Sequence, residues 1–222
     1  MKTEPDTDLP RILLTGFEPF GGEAINPSWE AVRVLDGEII GGYRVVARRL
    51  PVSFDGAKRA LVRAIDEVQP RLVLSVGQAG GRAKLSLERI AVNLIDARIP
   101  DNEGCQPIDC AVVEGAANAY FATLPVKAMR QAMEDEGIPA ELSHSAGCYV
   151  CNAVFFVLMQ RLADRPGVRG GFMHVPWLPE QGVEHAGEPS LPLGSMIDGL
   201  RCALQVAVAR DDDVVVAGGE TH

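Results

Sequence analysis

A chain of 222 residues, 47% hydrophobic and 23% charged, has enough length and apolar content to bury a substantial core, and it reads as one globular domain over 1–222. Its formal net charge of -9, with no Lys/Arg cluster to neutralise phosphates, argues against a nucleic-acid partner. No stretch approaches the ~20 apolar residues of a membrane span; the start MKTEPDTDLPRILLTGF lacks the pattern of a signal peptide, and five cysteines fit a reducing compartment better than a disulfide framework, so a cytoplasmic protein without a membrane partner is expected.

The first apolar run, RILLT at 11–15, ends in GFEPFGG, which predicts a buried strand followed by a long turn. Asn26, Pro27 and Ser28 supply capping chemistry for a helix through SWEAVRVL. Residues 43–50 alternate towards a strand, and SFDGAKRALVRAIDEV at 53–68 recurs at helical spacing. RLVLSV at 71–76 predicts a second buried strand, and it too runs straight into glycines, GQAGG. A strand over 87–94 precedes the turn-rich loop DARIPDNEG, and a helix over 125–136 is ended by Gly137.

From 141 a short strand enters SHSAGCYVCN, and an apolar helix follows over 149–162. A strand at 171–175, a loop at 176–192 crowded with Pro, Gly and Glu, and a helix over 193–208 complete the pattern, with 1–9 and 210–222 read as flexible ends. Strands alternating with helices predict an α/β sheet covered on both faces. In such sheets ligands bind beyond the carboxyl ends of the strands, where GFEPFGG, GQAGG, SHSAGC and HVPW are all expected to fall.

Cys148 and Cys151 spell a CxxC, which in a reducing compartment suggests a redox pair or half a metal site. Cys151 alone, near a helix start where free amides and the dipole favour a thiolate, has the setting of a nucleophile, or else is a small buried hydrophobe. Bulky Tyr149 and Val150 between the cysteines, and no thioredoxin-like order before them, weigh against redox. No second CxxC or HxxxH follows, and His144, His185 and His222 fall at no ligand spacing, so neither metal nor cofactor is expected.

His174 ends the apolar strand in GGFMHVPW, where its imidazole is placed either to take the Cys151 proton or simply to sit satisfied at a strand end. A third polar group would hold the ring in its useful tautomer, and Glu88, Asp96 and Asp101 are all candidates. Phe17 and Phe20 flank Pro19 as pocket walls or as core. Gly21 and Gly22 belong to no phosphate-loop pattern.

Taken together, TGFEPFGG with INPSWEAV, VGQAGGR, ERIAVN, DARIPDNEG, SAGCYVCN and GGFMHVPWLPEQ resemble the pyroglutamyl peptidase I family, also called pyrrolidone carboxyl peptidase, over about 11 to 204. The resemblance implies a three-layer α/β/α sandwich with a mostly parallel, mixed central sheet, often assembled as a homotetramer. It implies a cysteine omega-peptidase that hydrolyses the bond after an N-terminal pyroglutamyl residue of peptides and proteins through a thioester acyl-enzyme, without a cofactor. The implied triad is Cys151, His174 and Glu88. The implied substrate pocket falls on Phe17, Phe20, Asn26, Gln78, Ile99, Tyr149 and Val150, with Arg98 the basic residue near the thiol. Departures are Cys148, where threonine is more usual, Ala153, often histidine, and poor matches over 111–123 and the acidic tail; Cys148 also opens a route to a disulfide with Cys151.

Overall fold

The computed structural model describes residues 9–183 and 185–219. In chain order these form β1 Arg11–Phe17, α1 Pro27–Val34, β2 Ile39–Ile40, β3 Tyr43–Leu50, α2 Phe54–Val68, β4 Leu72–Gln78, β5 Leu85–Glu88, β6 Ile90–Val92, β7 Ala119–Phe121, α3 Val126–Asp135, β8 Ala140–Ser143, α4 Val150–Ala163, β9 Arg169–Val175 and α5 Leu193–Ala209. Seven strands make a sheet of order β2-β3-β1-β4-β9-β5-β8. Strands β3, β1, β4 and β9 run parallel, β2 is antiparallel to β3, and β5 with β8 runs opposite to β9. Helices α1, α3 and α5 cover one face, α2 and α4 the other, giving the α/β/α sandwich.

The alternation of strand side chains builds the two cores. Along β1, Ile12 and Leu14 face α1, α3 and α5, while Leu13 faces α2 and α4; along β4, Leu72, Leu74 and Val76 take the first face and Val73 the second. Covered on both sides, such strands read as unbroken apolar runs, and each buried Leu or Val contributes roughly 1.5–3 kcal/mol. Among described residues no helix is long and apolar enough to cross a membrane.

Helix starts show local and distant capping. Asn26 caps α1 as its sequence predicts, accepting from Ser28 N at 3.0 Å. Ser53 precedes α2 without a capping bond, and Asp101 supplies one from the DARIPDNEG loop, accepting from Phe54 N at 2.8 Å. The tail read as flexible behaves similarly where it is described. Asp213 accepts from Lys127 N at 3.0 Å and Ala128 N at 2.9 Å, capping α3, and Lys127 Nζ donates to Val216 O at 2.6 Å. Residues 1–8 and 220–222 lie outside the described residues.

Two expectations change. The strand read over 87–94 divides at Arg89: β5 stays in the main sheet, while β6 pairs with β7 in a separate two-stranded sheet. The cause is Asn152 of α4, fully buried, whose side chain accepts from Val92 N and donates to Val92 O and Leu94 O, drawing that segment onto the helix. Secondly, only three of the four segments expected beyond carboxyl strand ends leave carboxyl ends of the parallel strands. SHSAGC follows β8, which runs the other way, and it reaches the site because it leads into the start of α4.

Candidate active site

The neighbouring order β4-β9-β5 assembles the polar centre. His174 on β9 stands in register with Gly77 of β4 on one side and Ser86 of β5 on the other. Glu88, two residues along β5 from Ser86, therefore shares the face with His174, and the two meet with Nδ1 and Oε1 2.7 Å apart. Cys151 is the second residue of α4, and its sulfur is packed on the backbone of Gly77. A Cβ at Gly77 would lie 2.7 Å from that sulfur and 2.9 Å from the Phe172 ring, so only glycine leaves the thiol room.

The charges follow from burial. Glu88 is fully buried, which alone would raise its pKa, yet the hydrogen bond and charge of His174, the Ser143 hydroxyl and the Arg82 guanidinium together hold it below the ordinary carboxylate range. Ser143 is the register partner of Glu88, although its Oγ is directed to Ser145 O at 3.2 Å and Glu88 Oε2 is left without a donor. An ionised Glu88 accepts from the Nδ1–H of His174, which orients the ring and leaves Nε2 as its other nitrogen.

Burial pushes the Cys151 thiol up to about 12, with the charge of Glu88 adding to the rise and Arg82 and its own backbone amide opposing it. The helix start thus does not make a standing thiolate. A thiol raised that far carries its proton at neutral pH.

Cys151 and His174 open onto one cavity of about 310 Å³, within the size range of small-molecule sites. Phe17, at the end of β1, and Phe20 wall it, and Phe17 also belongs to the α2/α4 core, so the two readings of that aromatic hold together. Val150, buried at the first turn of α4, and Tyr149 add to the apolar lining; Tyr149 packs edge-on to Phe54 and donates its hydroxyl to Pro100 O at 2.9 Å. Gln78, at the end of β4, lines the cavity at 8% exposure with its Oε1 lacking any partner among described residues. Asn26 also lines it, but its side chain is committed to Ser28 and to Glu18 O, so it shapes the loop carrying Phe20.

Arg98 and Ile99 lie elsewhere. They are exposed and line a separate cavity with Asp96 and Cys148, on the other side of Tyr149. All five cysteines are free thiols, and Cys148 and Cys151 open to different cavities. Asp101 is used up by Phe54, Glu103 and Cys105 amides, and Asp96 is exposed, which leaves Glu88 as the carboxylate on the imidazole. Among described residues no group of His, Cys, Asp and Glu is arranged to hold a metal ion.

The residue that sequence reasoning passed over is Arg82. It lines the cavity, donates from Nη1 to Glu88 Oε1 at 2.7 Å and from Nη2 to Ser145 O at 3.1 Å. Its only signal was its place at the end of VGQAGGR, with no partner visible in the sequence. The 176–192 loop also acquires a place: Gln181 Nε2 donates to Glu23 Oε2 at 2.8 Å, His185 Nε2 meets Glu23 Oε1 at 2.7 Å, and Trp177 stacks on His185 while filling the space above Gly80. It braces the loops on either side of the cavity mouth.

Comparison with known proteins defines the class first: the chain is a cysteine-type peptidase. A family model described as pyroglutamyl peptidase matches residues 10–210, and the chain belongs to that family. A pyrrolidone-carboxylate peptidase of Klebsiella pneumoniae is 52% identical over 95% of this chain and 99% of its own length, and one of Cupriavidus taiwanensis is 54% identical over 96% and 100%. The crystal structure of pyroglutamyl peptidase I from Bacillus amyloliquefaciens superposes with a TM-score of 0.92 at 42% identity, covering 94% of this chain and all of that one. A mutant pyrrolidone carboxyl peptidase of Pyrococcus furiosus gives 0.87 at 43% identity, covering 90% and 98%.

Proposed function

We propose that this peptidase releases an N-terminal pyroglutamyl residue from peptides and proteins, with Cys151 as nucleophile, His174 as acid and base, and Glu88 orienting His174. The observation that carries this reading is the charge of the cavity: among the described residues its lining holds no carboxylate, includes Arg82, and presents the buried, unpartnered Oε1 of Gln78. A free N-terminus would bring an ammonium group there with no counter-ion, at a desolvation cost on the order of several kcal/mol. Pyroglutamate is an uncharged, flat lactam. Its N–H suits Gln78 Oε1, and its ring fits between aromatic walls such as Phe17 and Phe20.

In this reading His174 Nε2 takes the Cys151 proton as sulfur bonds to the pyroglutamyl carbonyl carbon. The tetrahedral oxyanion draws on backbone amides at the α4 start. Collapse breaks the C–N bond, and the leaving amine receives the proton from His174, leaving a thioester on Cys151. Water then attacks that carbon while His174 accepts its proton; the C–S bond breaks, pyroglutamate leaves, and the proton returns to sulfur.

The test is fluorescence release from pyroglutamyl-aminomethylcoumarin, with alanyl-aminomethylcoumarin as the free-amine control. Wild type is expected to hydrolyse only the first, and Cys151→Ala to lose about 10³-fold or more in kcat. Wild type that cleaves neither, or prefers the free amine, overturns the reading.

A further inference from the structure

Arg82 enters the site from the glycine loop after β4 and makes two bonds to different parts of it. Nη1 donates to Glu88 Oε1 at 2.7 Å, the same oxygen that meets His174 Nδ1 at 2.7 Å, and Nη2 donates to Ser145 O at 3.1 Å in the turn that leads to Cys151. Its side chain is 27% exposed, while Glu88 is fully buried, so the guanidinium stands between the carboxylate and the cavity. We propose that Arg82 is a positioning residue for the reaction: it holds Glu88 against His174 and, through its charge, sets the pH at which His174 acts as base. This rests on the function proposed above.

The physical need is a balance. A buried carboxylate with imidazole as its single partner would favour imidazolium strongly, and an imidazolium cannot take the proton of water when the thioester is hydrolysed. A second cation on the same oxygen keeps Glu88 ionised, and so the tautomer fixed, while weakening its pull on the His174 proton. The same positive charge favours the developing thiolate on Cys151. The groups facing this network are Glu88 on β5, His174 on β9, Cys151 on α4, the phenol of Tyr149 beside Cys151 and Arg82 itself; Glu141 on β8 faces Ser86, donor to its Oε1 at 2.8 Å, and Arg89 beyond Glu88 is engaged with His144.

The experiment compares pH profiles of kcat for pyroglutamyl-aminomethylcoumarin among wild type, Arg82→Gln, which keeps polarity without charge, and Arg82→Lys, which keeps charge without the fork. Arg82→Gln is expected to lower kcat about tenfold and move the acid limb upward by about 0.5–1 pH unit, with KM changed less than about threefold. Arg82→Lys is expected to keep the limb within about 0.3 unit of wild type at reduced kcat. A folded Arg82→Gln with the wild-type limb overturns the proposal, because a purely structural loss lowers the rate without moving the profile. If thermal melts show Arg82→Gln unfolded, Arg82→Lys decides: an unmoved limb supports the proposal and a displaced one overturns it. Wild type without turnover would instead sink the proposed function, so the two failures are distinguishable.

Discussion

Tyr149 separates two cavities built from adjacent residues of one motif, and they differ in kind. On one side buried His174 and Gln78 and half-buried Cys151 are held by strands and by the first turn of α4. On the other, Cys148 shares its cavity with exposed Asp96, Arg98 and Ile99 from a loop. Two cysteines three apart in sequence therefore have different chemistry. Burial and the charge of Glu88 raise Cys151, which shares its cavity with the His174 imidazole, whereas Cys148 is raised by burial and by Asp96 and shares its cavity with no imidazole among the described residues. A reactive thiol is made by its neighbours more than by its spacing.

The contrast can be broken most strongly at Glu88. Glu88→Gln removes the charge that fixes the His174 tautomer, and a kcat loss of about 10³-fold or more is expected in steady-state assays. The same variant has a stability signature. Because the folded-state pKa of Glu88 is depressed, its stabilising contribution is present above the ordinary value of 4.5 and is lost as pH falls through the folded-state value. As pH drops from 4.5 towards the folded-state value, the melting temperature should therefore fall more steeply in wild type than in Glu88→Gln.

Gly77→Ala tests the seat of the nucleophile. Its Cβ would press on the Cys151 sulfur and on Phe172, so kcat should fall about 10²-fold, with a melting temperature that shows the protein still folds. An unaffected rate would mean that the sulfur is not held against β4. Gln78→Leu tests recognition: loss of the buried acceptor should reduce kcat/KM for the pyroglutamyl substrate about tenfold or more. On the far side of Tyr149, Cys148→Ser and Arg98→Ala should each stay within about twofold of wild-type kcat/KM. Activity lost in Cys148→Ser would bring back dithiol chemistry, and a tenfold loss in Arg98→Ala would bring the second cavity into the reaction.

The bracing loop shows a similar reach across the chain. Glu23, between Phe20 and Asn26, holds both Gln181 and His185, so the loop that carries one aromatic wall is fixed by residues more than a hundred positions away. Nothing local in GFEPFGG or in GVEHAG signals such pairing. The loop's Pro and Gly content marked it as irregular without saying what it would touch.

The sequence by itself determined the alternation of strands and helices, the Asn26 cap, the core runs of β1 and β4, and the motifs that carry the family resemblance, because periodicity and capping depend on neighbours a few residues apart. Tertiary structure alone decided which carboxylate meets His174, that Asp101 and Asp213 cap distant helices, that Asn152 draws β6 away from the main sheet, and that Arg82 shares Glu88 with the imidazole. Those outcomes depend on strand order and register, with β5 running against β9, and pairing between distant strands leaves no local trace in the chain.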